Sequence, residues 1–152
     1  MFMPSHKEVM PRSQIRGNAS DVVKRSLGNP SQLFLTQDRE DGRHKSLGYS
    51  MEIFRRLQVT EISFDQHPEE PSKQVSRVVC ELDVHSDMVN NTHHLHGACG
   101  AYLVDMCSNI SFLAHQMATN KDIPSVSQSI NTVYHSPALL YVCCVMGSFS
   151  SS

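Results

Sequence analysis

The sequence contains no apolar run approaching 18 residues, which excludes a membrane-spanning helix. It has no excess of positive charge. A net charge of −2 leaves no electrostatic footprint for a nucleic-acid partner. Charged residues make up 18% and hydrophobic residues 39%, each below the ordinary globular shares of about 25% and about 45–50%. So few charges exclude a highly charged disordered chain. The five cysteines (Cys80, Cys99, Cys107, Cys143 and Cys144) are odd in number and form no C-x-x-C. A secreted disulfide scaffold is therefore not expected, and reduced thiols in a cytosolic-type compartment fit better. The N-terminus has no secretory apolar segment. Lys7, Arg12 and Arg16 leave a mitochondrial leader open, although Glu8, Pro4 and Pro11 interrupt any amphipathic helix there. Cytoplasm or mitochondrion is the expected localisation. No internal repeat is present.

What the chain does contain is unevenly distributed. Its 152 residues match the size of one domain. Residues 1–47 hold eight Lys/Arg against five Asp/Glu, and residues 48–152 hold five against ten. This division predicts a solvated extension over 1–47, disordered at its start, followed by the folded body. Within the extension, Asn18 or Ser20 caps a short helix that stops near Gly28-Asn29-Pro30. Residues 36–47 read as a charged loop. A second short helix is predicted over Tyr49–Leu57, with Arg55 and Arg56 facing water. Val59, Ile62 and Phe64 then mark a short strand. The prolines and acids of 65–75 form a loop. Val78, Cys80, Leu82 and Val84 alternate on one face of a half-buried strand.

The strongest periodic signal is a long helix from Ala98 to about Thr119. Leu103, Met106, Cys107, Ile110, Leu113, Ala114 and Met117 follow helical spacing as one apolar stripe. The opposite side carries Ala98, Ala101, Asp105, Ser108 and Phe112. A helix of about 20 residues with Asp105 as its one charge before Lys121 is expected to be covered on both sides. Beyond it, alternation from Val126 to Tyr134 predicts a strand, ended by Ser136-Pro137-Ala138.

Residues 90–105 carry the chemistry. Gly97 and Gly100 at the helix start let another group approach the backbone closely. The free N–H groups of a helix N-terminus suit an anion or a developing oxyanion. Asp105, two turns further on, is placed to orient or deprotonate a water. The plainer reading is that the glycines serve tight packing and that Asp105 makes a buried hydrogen bond. His85, Asp87, His93, His94, His96 and Cys99 include metal-ligand types, but no standard zinc spacing follows, and no metal or cofactor is expected.

The run Leu95-His96-Gly97-Ala98, followed by Leu103-Val104-Asp105, resembles the L-H-G-G…L-[VL]-D motif of hotdog-fold thioesterases of the PaaI-like (phenylacetate-degradation) type. Ser127 and Tyr134-x-Ser136-Pro137-Ala138 resemble the strand and closing proline that follow. The resemblance covers roughly residues 55–140 and implies an α+β hotdog fold, an antiparallel sheet wrapped around one long central helix. It also implies a homodimer or homotetramer with sites between subunits, and hydrolysis of acyl-CoA thioesters. Carried over residue by residue, the Gly97 backbone N–H polarises the thioester carbonyl, with His96 and Ala98 lining the substrate site. Asp105 of the other subunit is base or nucleophile. Asn90 helps hold the carbonyl or water, and Ser127 orients the water.

The pattern departs from the family in two places. Ala98 stands where many relatives have a second glycine. After Leu139-Leu140 the family's last strands are not recognisable. The domain over 48–140 is therefore expected to be incomplete and followed by a non-family tail over 141–152, leaving the helix stripe partly uncovered. Two other functions stand beside the hydrolase. One is a truncated, non-catalytic form that binds a full-length sibling or folds poorly. The other is a hotdog dehydratase, for which the pairing of His96 with a carboxylate is the one shared feature.

Overall fold

The computed structural model describes residues 15–33, 48–124 and 126–151. The disorder expected at the start of the chain, up to residue 14, and the whole of the charged loop over 36–47 lie outside the described residues. The fold is α+β, an antiparallel sheet with one long helix packed on it.

The N-terminal helix α1 (Asp21–Leu27) begins where the sequence provides a cap. Ser20 Oγ accepts the Val23 N–H at 3.4 Å, and the Gly28 N–H closes the last turn on the Lys24 carbonyl at 2.9 Å. A four-residue helix α2 (Pro30–Leu33) follows. The expected solvated extension does not hold for this part of the chain. Ile15, Ala19, Val23 and Leu27 are all buried in the main core. Val23 and Leu27, four positions apart, share one side of α1, and Ile15 and Ala19 come from the segment before it, so the helix is held by burial despite its charged outer face. Before α1 the chain runs beside the sheet. Arg16 exchanges backbone hydrogen bonds with Thr60 and Ile62, both at 3.0 Å. Gly17 lies between them at φ +95°, and a Cβ there would strike the Ile62 carbonyl, so this crossing requires glycine.

Helix α3 (Met51–Phe54) is shorter than expected, with Met51 and Phe54 buried. Strands β1 (Gln58–Gln66) and β2 (Gln74–Asp83) pair antiparallel, from Gln58 opposite Glu81 to Gln66 opposite Gln74, with a bulge between Val59 and Glu61. Val78, Cys80, Leu82 and Val84 are buried, as their alternation predicts. A single 3-10 turn (Ser86–Met88) leads into helix α4 (Gly97–Thr119). Leu103, Cys107, Ile110 and Ala114 are buried, while Met106, Leu113 and Met117 pack at the edge of the same core. Ser76 Oγ of β2 donates to the Ser111 carbonyl of α4 at 3.1 Å, joining sheet to helix at a fully buried point.

Two expectations after α4 are corrected. Residues 126–134 form no strand, although their side chains alternate. Alternation sets which way side chains point but supplies no neighbour to pair with, and the stretch lies exposed along α4. The tail, expected to leave the helix partly uncovered, instead contributes β3 (Cys143–Ser151). It pairs antiparallel with β2, from Val75 opposite Ser151 to Asp83 opposite Cys143, and α4 packs against both strands. The sheet order is β1-β2-β3.

Candidate functional site

The start of α4 is built by the loop before it. Asn90 Oδ1 accepts hydrogen bonds from the Thr92 N–H at 3.0 Å, the Thr92 hydroxyl at 2.7 Å and the His94 N–H at 3.1 Å. An Asn side chain bonding its own following backbone is a turn device, and here it folds 90–94 tightly, with His93 at φ 60°. Leu95 then donates to the Ala138 carbonyl at 2.8 Å, and the Leu140 N–H reaches the His93 carbonyl at 3.2 Å. The Ser136-Pro137-Ala138 turn is thereby tied to the approach into the helix.

His96 is the N-cap. Its Nδ1 accepts the Ala98 N–H at 3.1 Å, and its own N–H donates to the Met88 carbonyl at 2.8 Å. One of the otherwise orphaned helix donors is thus taken by the imidazole. Among the described residues, the Gly97 N–H has no hydrogen-bond partner. It is an unclaimed donor at the positive end of a 23-residue helix.

Asp105 lies half-buried on the same helix, eight positions on. The Ser127 hydroxyl donates to Asp105 Oδ1 at 2.6 Å. Asn109 Nδ2 contacts the same oxygen at 3.4 Å and the Asp105 backbone carbonyl at 3.0 Å. Ser127 and Asp105, 22 positions apart in the chain, are therefore brought together. Gly97, His96 and Ala98 form a second group around the helix start, and Asn90 is the frame of the loop beneath them. The bonds of Asn90 Oδ1 are all within that loop, so within this chain its oxygen serves the turn.

Sequence reading passed over two aromatic contributors. Tyr102 Oη donates to the Tyr49 carbonyl at 2.9 Å, and the two rings meet edge to face at 5.5 Å. Burial, with smaller effects from Cys99, Tyr49 and Asp105, pushes the Tyr102 phenol up to about 12, so it stays a donor at neutral pH. Tyr134 Oη donates to the Gly97 carbonyl at 2.5 Å. No local pattern announces either contact, because each joins segments far apart in the chain.

Arg55 and Arg56 are both engaged by carboxylates. Arg55 pairs with Glu52 at 2.6 Å, and Arg56 grips both oxygens of Asp87 at 2.8 and 3.0 Å. Among the described residues no group of three or more His, Cys, Asp or Glu side chains is arranged to hold a metal ion, and no helix is long and apolar enough to cross a membrane.

Sixty-four residues of this chain are 38% identical to acyl-coenzyme A thioesterase 13 of Homo sapiens, covering 42% of this chain and 43% of that protein. The thioesterase 13 of Pongo abelii matches to the same extent. The matched stretch is less than half the length of either relative. No family model matches the chain, and no solved structure does. The likeness is partial, and it supports the thioesterase family.

Proposed function

We propose that this chain is built to hydrolyse acyl-CoA thioesters, on a partial hotdog domain of the PaaI-like type. The observation that carries the reading is one helix bearing both halves of the required chemistry. At its start is the unclaimed Gly97 N–H, and two turns on is a carboxylate hydrogen-bonded to Ser127 at 2.6 Å. Thioester hydrolysis asks for an oxyanion donor and an activated water. In this reading the Gly97 N–H meets the thioester oxygen. Asp105, steadied by Ser127, takes a proton from water as the water oxygen bonds to the carbonyl carbon. The carbon–sulfur bond then breaks as the proton held by Asp105 passes to the sulfur, releasing the acid and the CoA thiol and restoring the carboxylate. His96 contributes by fixing the Ala98 N–H, and Ala98 lines the approach. Asn90 sets the loop that presents the helix start.

Spacing argues for two chains. Gly97 and Asp105 are eight residues apart, which is about 12 Å along a helix, too far for both to touch one carbonyl. A homodimer, or a tetramer of such dimers, in which Asp105 of one chain faces Gly97 of the other closes that gap. The edge left by residues 126–134, with Val126 and Val133 exposed, suits the burial such an assembly requires.

The test is turnover of the purified 152-residue chain on short, long and aromatic acyl-CoAs, with free-thiol detection and molecular mass measured together. Release of CoA by a dimeric or tetrameric species supports the reading. A folded chain that releases none on any substrate overturns it, and leaves a non-catalytic form that binds a longer sibling as the better account.

A further inference from the structure

Two glycines at the start of α4 allow a close approach, and the group that makes it is Tyr134. Its ring lies against the helix start. A Cβ on Gly97 would sit 3.6 Å from Cζ, and one on Gly100 would sit 3.2 Å from Cε1. Its hydroxyl donates to the Gly97 carbonyl at 2.5 Å. That carbonyl belongs to the Gly97–Ala98 peptide, whose N–H is held by His96 Nδ1 at 3.1 Å. The peptide is thus gripped at both ends, its oxygen by Tyr134 and its nitrogen by His96. Gly97 is the residue type with the most backbone freedom, and among the described residues its N–H is unclaimed. An oxyanion donor is effective only if its direction is fixed before the charge develops.

We propose that Tyr134 is a positioning residue for the reaction, acting through Gly97. Its phenol holds the Gly97–Ala98 peptide, on one side of the Gly97 Cα, and so limits the backbone rotation at Gly97. The His96–Gly97 peptide on the other side, which carries the Gly97 N–H, is held by the Gly100 N–H donating to the His96 carbonyl at 3.0 Å. The absence of a side chain at Gly100 gives the ring its seat. The inference rests on the thioesterase reading. Tyr134 is 59% exposed and contributes little to the core, so its loss should be felt in the chemistry rather than in folding.

Tyr134→Phe in the full chain tests this. It is expected to lower kcat about tenfold, less than the roughly hundredfold cost of losing an oxyanion donor outright because the Gly97 N–H itself remains, with KM and thermal midpoint unchanged. Gly100→Ala pushes the ring from the other side and is expected to lower kcat in the same way. The double variant should lose no more than the greater single loss, because both act through one contact. Val22→Ala, at an exposed position of α1, should leave kcat unchanged. A Tyr134→Phe variant with wild-type kcat overturns the proposal, as does a raised KM at constant kcat, or single losses that multiply. A wild-type chain with no turnover overturns the thioesterase reading and this proposal together. A turning-over wild type indifferent to Tyr134→Phe overturns this proposal alone.

Discussion

Replacing Ser127 by alanine removes one hydroxyl from a surface stretch and one hydrogen bond from Asp105. The bond is 2.6 Å long, in the short range of a hydroxyl donating to a carboxylate. Hydrogen bonds to charged groups contribute about 1.5–3 kcal/mol. Ser127 is exposed and water can partly replace its hydroxyl, so the lower end applies. If Ser127 holds Asp105 in the direction needed to take a proton, about 1.5 kcal/mol corresponds to roughly a tenfold loss of kcat. KM should not move, since neither group is asked to bind the acyl chain. In the background of Asp105→Asn the same change should cost only about three- to fourfold, because a neutral acceptor forms a bond roughly half as strong. Steady-state kinetics on the four proteins decide it. Wild-type kcat in Ser127→Ala, or an equal loss with and without the Asp105 carboxylate, would refute the reasoning.

Two further outcomes follow from the fold. Leu27→Ala, at a fully buried position of α1, should destabilise the chain by about 2–5 kcal/mol in urea unfolding, while a change under about 0.5 kcal/mol would mean that the N-terminal segment is not part of the core. His115 is buried on α4, and burial, helped by the nearby Lys121 charge, holds its pKa below the usual 6.5. The folded state therefore disfavours the imidazolium. The stability that follows is full above pH 6.5 and is lost as pH falls from there through the lowered value. His115→Gln should flatten the stability profile in that window. Glu61, lowered mainly by its hydrogen bond to Arg77, acts in the same sense but only below its usual 4.5, so between pH 6.5 and 4.5 the His115 contribution is read without it. An unchanged profile in His115→Gln would contradict the assignment.

How far the sequence could be read depended on whether each signal was local. The α4 stripe from Leu103 to Met117 and the β2 alternation from Val78 to Val84 are set by the period of the backbone, and both are where the residue pattern puts them. The α1 boundaries follow from Ser20 and Gly28, each acting within one turn. Pairing is not local. Val126–Tyr134 has the alternation of a strand but no neighbour, whereas Cys143–Ser151 finds β2 although it resembles no strand of the family. The burial of Ile15, Ala19, Val23 and Leu27 was not read, because the net positive charge of 1–47 pointed to solvent and Ile15 and Ala19 lie before the helix, where no helical period marks them. In the site, Asp105 and Ser127 came from a motif and do meet. Tyr134 over Gly97 could not be anticipated, because the contact depends on how an unpaired stretch lies across the helix.

The central claim is that Asp105 and the start of α4 together hydrolyse a thioester. Its most direct test is CoA release by Asp105→Asn beside the wild-type chain, on whichever acyl-CoA the wild type turns over fastest, with molecular mass recorded for both. The account predicts an unchanged assembly and a kcat reduced at least a hundredfold, the scale of a lost acid–base group. Wild-type turnover from an intact Asp105→Asn assembly would contradict it.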